Sequence, residues 1–257
     1  MQVIILAAGM GTRLGKLTHE KPKCMLEFQG RTLLKRQLDL LNESDIERII
    51  VVKGYKQEKI NYPGLKYYIN TDFRTTNMVE SFLCSAECFD RETLLIYGDI
   101  LFDKNTLLAG LQSNDDIGVI VDSDFEEYWL ARWDSLKVDS EGLVIDDEYR
   151  IHSLGFDTDK IEDLQFRYVG MIKFSVEGLC SFRDNYLDLI SGSITDEEIS
   201  IRKKISMTEM LQIMIEKGNN ISAIPIKRGW LEFDSYSDVD KYESWIHEGK
   251  MDRFIKI

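Results

Sequence analysis

Residues 6–15 read L-A-A-G-M-G-T-R-L-G. Ala7, Ala8, Gly9 and Gly11 carry no bulky side chain. Such a loop lets backbone N–H groups approach phosphate oxygens and lets a base lie against the chain. Arg13 adds a planar fork suited to phosphate. The spacing is not the dinucleotide fingerprint G-x-G-x-x-G, and no G-K-[ST] follows, so it is not a P-loop either. Taken alone, the glycines also fit an ordinary strand-to-helix turn.

Lys21-Pro22-Lys23 follows shortly after. Pro22 fixes φ and stiffens the segment, which makes Lys23 a well-placed point charge for a leaving pyrophosphate or a transferred phosphoryl group. Lys21 reads as a solvated basic turn. Further on, Y-G-D-I at 97–100 puts Asp99 at the end of an apolar run. A carboxylate there can hold a hard cation, because open α/β sheets bind ligands beyond their strand ends. It also fits a turn or a helix cap. G-W-L-E-F-D at 229–234 alternates Trp230, Glu232 and Asp234 along one face of an extended segment. Asp234 can be a second carboxylate on the same metal, since Mg²⁺ takes one or two carboxylates with waters and substrate phosphates. The polar face of an edge strand is the alternative.

These residues need elements to position them. Val3 to Leu6, Ile49 to Val52, Tyr67 to Ile69, Thr93 to Tyr97, Ile117 to Val121 and Ile221 to Ile226 are short apolar runs that predict strands. Leu33 to Leu41, Met78 to Phe89, Thr208 to Ile215 and Val239 to Ile246 have helical spacing. Strands alternating with helices predict an α/β fold with a Rossmann-like, mainly parallel sheet flanked by helices. Residues 129–175 break into short pieces between polar turns and predict a β-rich insertion in the second half. No repeat or linker interrupts the chain. One domain over 1–257 is expected, with a nucleotide-binding half to about 115 and an acceptor-binding half from about 116.

Composition narrows the partners. The net charge of −13 lacks the basic footprint that a nucleic acid or an anionic membrane requires. No apolar stretch approaches the roughly 18 residues that span a bilayer. The start, MQVIILAAG, lacks a basic n-region, and a cytoplasmic protein is expected. The four cysteines have no metal-site spacing with histidine and read as reduced thiols.

In order along the chain, L-A-A-G-M-G-T-R-L, K-P-K, G-D and W-L-E-F-D together resemble the nucleotidyltransferases that activate sugar phosphates and phosphocholine. The resemblance runs from Val3 to about Tyr242. It implies Mg²⁺ between Asp99 and Asp234 and phosphate contacts from Gly11, Arg13 and Lys23. Arg13 and Lys23 are then the catalytic cations. A nucleotide site is implied over Leu6, Ala7, Ala8, Gly9, Gly11, Thr12, Arg13, Lys23, Gly54, Tyr55, Thr76, Asn77, Ser81 and Gly98. A pyrimidine would lie against Ala7, Ala8 and the Gly54-Tyr55 turn.

Residues 75–81, T-T-N-M-V-E-S, are similar to the T-N-N segment of phosphocholine cytidylyltransferases and lack the Q-x-x-G-T-A of sugar enzymes. The resemblance thus points to CTP and a small phosphorylated acceptor such as phosphocholine or phosphoglutamine, and to capsule or cell-surface precursors. A homodimer is compatible with it. Tyr128, Trp129, Arg132 and Trp133 form an aromatic cluster that can hold an ammonium by cation–π contact or can be core. Tyr168 and Gly170 match a family stretch near the acceptor. The acceptor-binding set is Tyr128, Trp129, Arg132, Tyr168 and Gly170. Two rival readings remain open: a sugar-1-phosphate nucleotidylyltransferase using UTP or dTTP, and a non-catalytic nucleotide-binding domain.

Overall fold

Seven strands form the central sheet in the order Ser222–Ile226, Ile117–Asp122, Arg167–Phe174, Thr93–Tyr97, Gln2–Ala7, Arg48–Lys53 and Lys66–Ile69. The computed structural model describes residues 1–139, 141–158, 160 and 163–257. Neighbouring strands are parallel except Arg167–Phe174, which is antiparallel to both of its neighbours. Every residue of Gln2–Ala7 and of Ile117–Asp122 is buried. This is why these strands read as unbroken apolar runs rather than alternating ones.

The period of two divides the core. Val3, Ile5 and Ala7 face one cluster with Leu34, Leu38 and Leu41 of helix Leu33–Asn42. Ile4 and Leu6 face the other, with Phe82, Phe174 and Phe182. Thr32 caps helix Leu33–Asn42 by accepting from Lys35 N, and Ser175 caps helix Val176–Ser191 by accepting from Gly178 N.

From Gln2–Ala7 the chain runs outward to Arg48–Lys53 and Lys66–Ile69. It then returns to pair Thr93–Tyr97 against the other side of Gln2–Ala7. The reversal opens a crevice at the carboxyl ends of these two strands, which is the usual ligand position in an open α/β sheet.

Two expectations change. The helix expected over Met78 to Phe89 stops at Leu83, and Ala86–Cys88 is a separate 3₁₀ turn. Ser85 folds its hydroxyl onto Phe82 O at 2.6 Å and takes the same carbonyl with its N–H, which closes the helix. The insertion over 129–175 holds one antiparallel hairpin, Gly142–Ile145 with Ile151–Phe156. Its flanks are different. Glu126–Trp133 is a helix, and Arg167–Phe174 lies in the middle of the main sheet. The aromatic content of 128–133 mimics a strand. Burial of Tyr128, Trp129 and Arg132 follows one helix side, however, and Glu126 and Glu127 sit in the first turn, where the helix dipole favours acids. Ser140, Asp159, Ile161 and Glu162, also within 129–175, lie outside the described residues. Among the described residues no helix is long and apolar enough to cross a membrane.

Candidate active site

A short antiparallel ladder joins the two acidic segments. Ile100–Phe102 pairs with Trp230–Glu232, with Glu232 opposite Ile100, and Phe233 N donates to Asp99 O at 3.0 Å. The ladder sets Asp99 beside Asp234. Pro22, with extended ψ, leads into a 3₁₀ turn that begins at Lys23. From there Lys23 Nζ donates to Asp99 Oδ2 at 2.7 Å and to Asp234 Oδ1. Arg13 places Nη2 2.9 Å from Asp234 Oδ2, while its side chain stays 64% exposed and free to meet a ligand.

Charges are mutually stabilised here. Burial works against the Lys23 ammonium, but Asp99 and Asp234 more than offset it and raise its pKa. Burial also opposes ionisation of Asp234, yet Lys23, Arg13 and Arg132 hold its pKa below the usual carboxylate value. Glu232 goes the other way: burial and the nearby Asp234 raise it, and Arg132 and Lys23 offset only part of that.

The crevice is lined by Leu6, Ala7, Ala8 and Gly9, by Thr76, Asn77, Met78 and Ser81, and by Gly98 and Asp99, with Lys23, Cys24, Phe73 and Tyr97. Gly98 must be glycine because a Cβ would lie 2.8 Å from Leu6 O, the carbonyl to which Gly98 N donates. Asn70 is buried at the back. Its Nδ2 donates to Thr76 Oγ1 at 3.0 Å and to Ser81 Oγ at 2.9 Å. Thr76 in turn donates to Asp72 O and Ser81 to Asn77 O. Both hydroxyl protons are therefore committed, and each oxygen retains one lone pair to accept with.

Several residues expected on the nucleotide do not line this crevice. A Cβ on Gly54 would meet Ala8 O at 2.8 Å, and Tyr55 N donates to that carbonyl, so the turn buttresses the glycine loop from behind. Tyr55 and Thr12 border a separate open groove with His19 and Lys16. Gly11 has φ +62°, and its carbonyl accepts from Thr18 Oγ1 at 2.7 Å, which fixes the loop beside Lys23.

A second cavity adjoins the first, and Met78 and Tyr97 line both. Its charged walls are Arg13, Arg167, Asp139, Glu141, Glu232 and Asp234. Trp129, Leu143, Leu154 and Met207 are its apolar walls, with Tyr168, Ser206 and Thr208 supplying hydroxyls.

Three of the five residues expected at the acceptor do not line this cavity. Tyr128 is core: its ring packs on Trp230, Trp245 and Phe254, and its hydroxyl meets Tyr242 Oη at 2.7 Å. Arg132 has no exposed surface and holds Asp238 and Glu232. Gly170 has φ +84° at an irregularity in the strand, where a Cβ would lie 2.8 Å from the Tyr97 ring; it makes room for Tyr97 and does not line the cavity. Trp129 and Tyr168 do line it, the latter donating to Tyr97 Oη at 2.9 Å. The Trp129 ring already carries the Arg132 and Arg167 guanidiniums, 5.0 and 4.5 Å from its centroid.

Asn70, Arg167, Glu141 and Thr208 are additions that local motifs do not single out. The S-M-T-E capping box at 206–209 marks a helix start, but nothing local says which cavity that start faces.

The donor set suits a hard divalent cation. Asp99 and Asp234 offer carboxylate oxygens, the hard donors such a cation prefers, and the Lys23 ammonium lies between them. Among the described residues, Asp139, Glu232 and Asp234 also gather ligand oxygens within 4.8 Å of one another.

Residues 3–141 match the MobA-like NTP transferase domain family. The CTP:phosphoglutamine cytidylyltransferase of Campylobacter jejuni is 30% identical over 251 residues, covering 93% of this chain and 98% of that protein. The solved structure of the CTP:phosphocholine cytidylyltransferase from Streptococcus pneumoniae aligns with a TM-score of 0.71 at 22% identity, over 95% of this chain and 98% of that one. An inositol-1-phosphate CTP transferase from T. maritima aligns with a TM-score of 0.70 at 21% identity, over 100% of this chain and 98% of that one. These two structures share its fold.

Proposed function

The chain belongs to the MobA-like NTP transferase family and is a nucleotidyltransferase, and we propose that it transfers CMP from CTP to the phosphate of a small acceptor and releases pyrophosphate. The observation that carries this reading is that two adjoining cavities, one lined by Lys23 and Asp99 and the other by Arg13 and Asp234, are linked by the ion pairs of Lys23 and Arg13 with Asp234. One cavity has the small, backbone-rich walls that a nucleotide needs. The other mixes both signs of charge, which suits an acceptor such as phosphoglutamine or phosphocholine, with an anionic phosphate and a cationic amine.

An oxygen of the acceptor's phosphate attacks the α-phosphorus of CTP. The bond from that phosphorus to the β-bridging oxygen breaks, and the electron pair leaves with pyrophosphate. The nucleophile is already an anion at pH 7, so no general base is needed. The obstacle is repulsion between polyanions, and the protein's contribution is positioning and charge neutralisation. Arg13 reaches the junction from the glycine loop with a fork for phosphate oxygens. Lys23 stays protonated there and meets charge as it develops on the leaving pyrophosphate. Asp99 and Asp234 are the residues that would hold Mg²⁺. When bound, such an ion would supply positive charge against the repulsion between the reacting phosphates.

The committed hydroxyls of Thr76 and Ser81 support CTP. In this arrangement they can accept from the N4 amino group of cytosine, whereas donating to the O4 of uracil would require giving up a bond to a backbone carbonyl. With UTP a buried acceptor would go unpaired, at about 1–3 kcal/mol or roughly 5- to 150-fold in kcat/KM.

The test pairs CTP, UTP, dTTP, ATP and GTP with phosphocholine, phosphoglutamine and hexose 1-phosphates and follows pyrophosphate release. CTP with an amine-bearing acceptor is expected to lead. Preference for UTP or dTTP with a hexose 1-phosphate moves the chain to the sugar-activating branch.

A further inference from the structure

A guanidinium with no exposed surface needs fixed partners to replace water. Arg132 has them. Nε donates to Asp238 Oδ1 at 2.7 Å, Nη2 to Asp238 Oδ2 at 3.0 Å, and Nη1 to Glu232 Oε2 at 2.8 Å. Nη2 lies 4.0 Å from Asp234 Oδ2, too far for a hydrogen bond. Asp238 is equally buried. Its Oδ2 accepts from Asp234 N at 2.9 Å, Ser235 N at 2.8 Å and Ser235 Oγ at 3.1 Å. Those donors form the turn that carries Asp234 into helix Tyr236–His247.

We propose that Arg132 and Asp238 are positioning residues for Asp234. Arg132 fixes both oxygens of Asp238, Asp238 fixes the backbone of Asp234 and Ser235, and the Asp234 carboxylate is thereby turned toward Lys23 and Arg13. Neither residue lines either cavity. The fork matters: a lysine would keep the charge but could not hold the two oxygens of Asp238 in one plane. Arg132 adds its charge to that of Lys23 in letting Asp234, Glu232 and Asp238 sit close together. Trp129, one turn earlier on helix Glu126–Trp133, lines the second cavity. The same helix therefore joins the acceptor wall to the carboxylate that faces the phosphates. The inference rests on the proposed function for the role of Asp234.

The test compares Arg132→Lys and Asp238→Asn with wild type and with Lys173→Met. Lys173 is a buried lysine beside Glu92 on the central strand, at the end of the sheet away from the crevice. Mn²⁺ binding is titrated by electron paramagnetic resonance, and kcat and KM are measured separately. In both site variants Mn²⁺ affinity and kcat are expected to fall about 10- to 100-fold, the usual effect of losing an outer partner of a metal ligand. KM for CTP should change little, and Lys173→Met should bind Mn²⁺ as wild type does. Wild-type Mn²⁺ affinity and kcat in folded Arg132→Lys and Asp238→Asn overturn the proposal, as does an equal loss in Lys173→Met. If both site variants fail to fold, Ser235→Ala removes one donor to Asp238, and unchanged Mn²⁺ affinity there overturns it. Absence of nucleotidyl transfer by wild type would instead sink the proposed function and leave the Mn²⁺ comparison standing.

Discussion

The two cavities differ in how they are built. The crevice is made of strand ends, backbone and small side chains, held by parallel register between Gln2–Ala7 and Thr93–Tyr97. The second cavity is made of long charged and aromatic side chains from a helix, a hairpin, a central strand and a helix start. The contrast teaches where each property resides. Walls of backbone can recognise what every nucleotide shares, namely phosphates and a flat base. Walls of side chains can change with the acceptor while the sheet stays as it is.

The largest effects are expected where the cavities meet. Asp99→Asn and Asp234→Asn should each lower kcat by about 10²–10³-fold in a folded protein. The double variant should be little worse than either alone, because both would act on one cation. Full activity in a folded Asp99→Asn variant would break the assignment. Exhaustive EDTA treatment should likewise abolish turnover and Mg²⁺ restore it; undiminished activity after EDTA would show that the carboxylates do other work.

An intermediate effect sharpens the crevice side. Ser81→Ala removes one of the two lone-pair acceptors proposed for cytosine. The ratio of kcat/KM for CTP over UTP should fall by roughly 5-fold or more, corresponding to a net hydrogen bond of about 1 kcal/mol. An unchanged ratio would place cytosine recognition on other groups.

The legibility of the two regions follows the same contrast. Ala7, Ala8, Gly9, Lys23 and Asp99 sit within short contiguous segments whose spacing reports a strand end and a phosphate-sized loop. Their position at the crevice was therefore readable from local order. Asp234 was readable only because W-L-E-F-D comes in sequence with the earlier motifs. Asn70 was not readable: its role depends on two hydroxyls that a helix cap brings to it. The aromatic cluster at 128–133 left two readings open for a related reason. Composition cannot tell a buried aromatic from one that lines a cavity, and only the helix phase places Tyr128 in the core and Trp129 at the wall of the second cavity. In sequence, Gly54 and Gly170 read as ligand contacts because a glycine at a close approach looks the same whether a ligand or a neighbouring group comes near.

The smallest effect belongs to the rim of the second cavity. Glu141→Gln should raise KM for an amine-bearing acceptor about 2- to 5-fold, the weight of one exposed charge pair, and leave KM for CTP unchanged. A change in KM for CTP instead would erase the division between the two regions.

The most direct test of nucleotidyl transfer itself is a ³¹P NMR time course of the protein with CTP, Mg²⁺ and an amine-bearing phosphorylated acceptor. The account predicts that the CTP and acceptor resonances decline together. A phosphorus–oxygen–phosphorus linkage between CMP and the acceptor should appear in equal amount with pyrophosphate. Release of free CMP, or CTP left intact by folded protein with every phosphorylated acceptor tried, would contradict it.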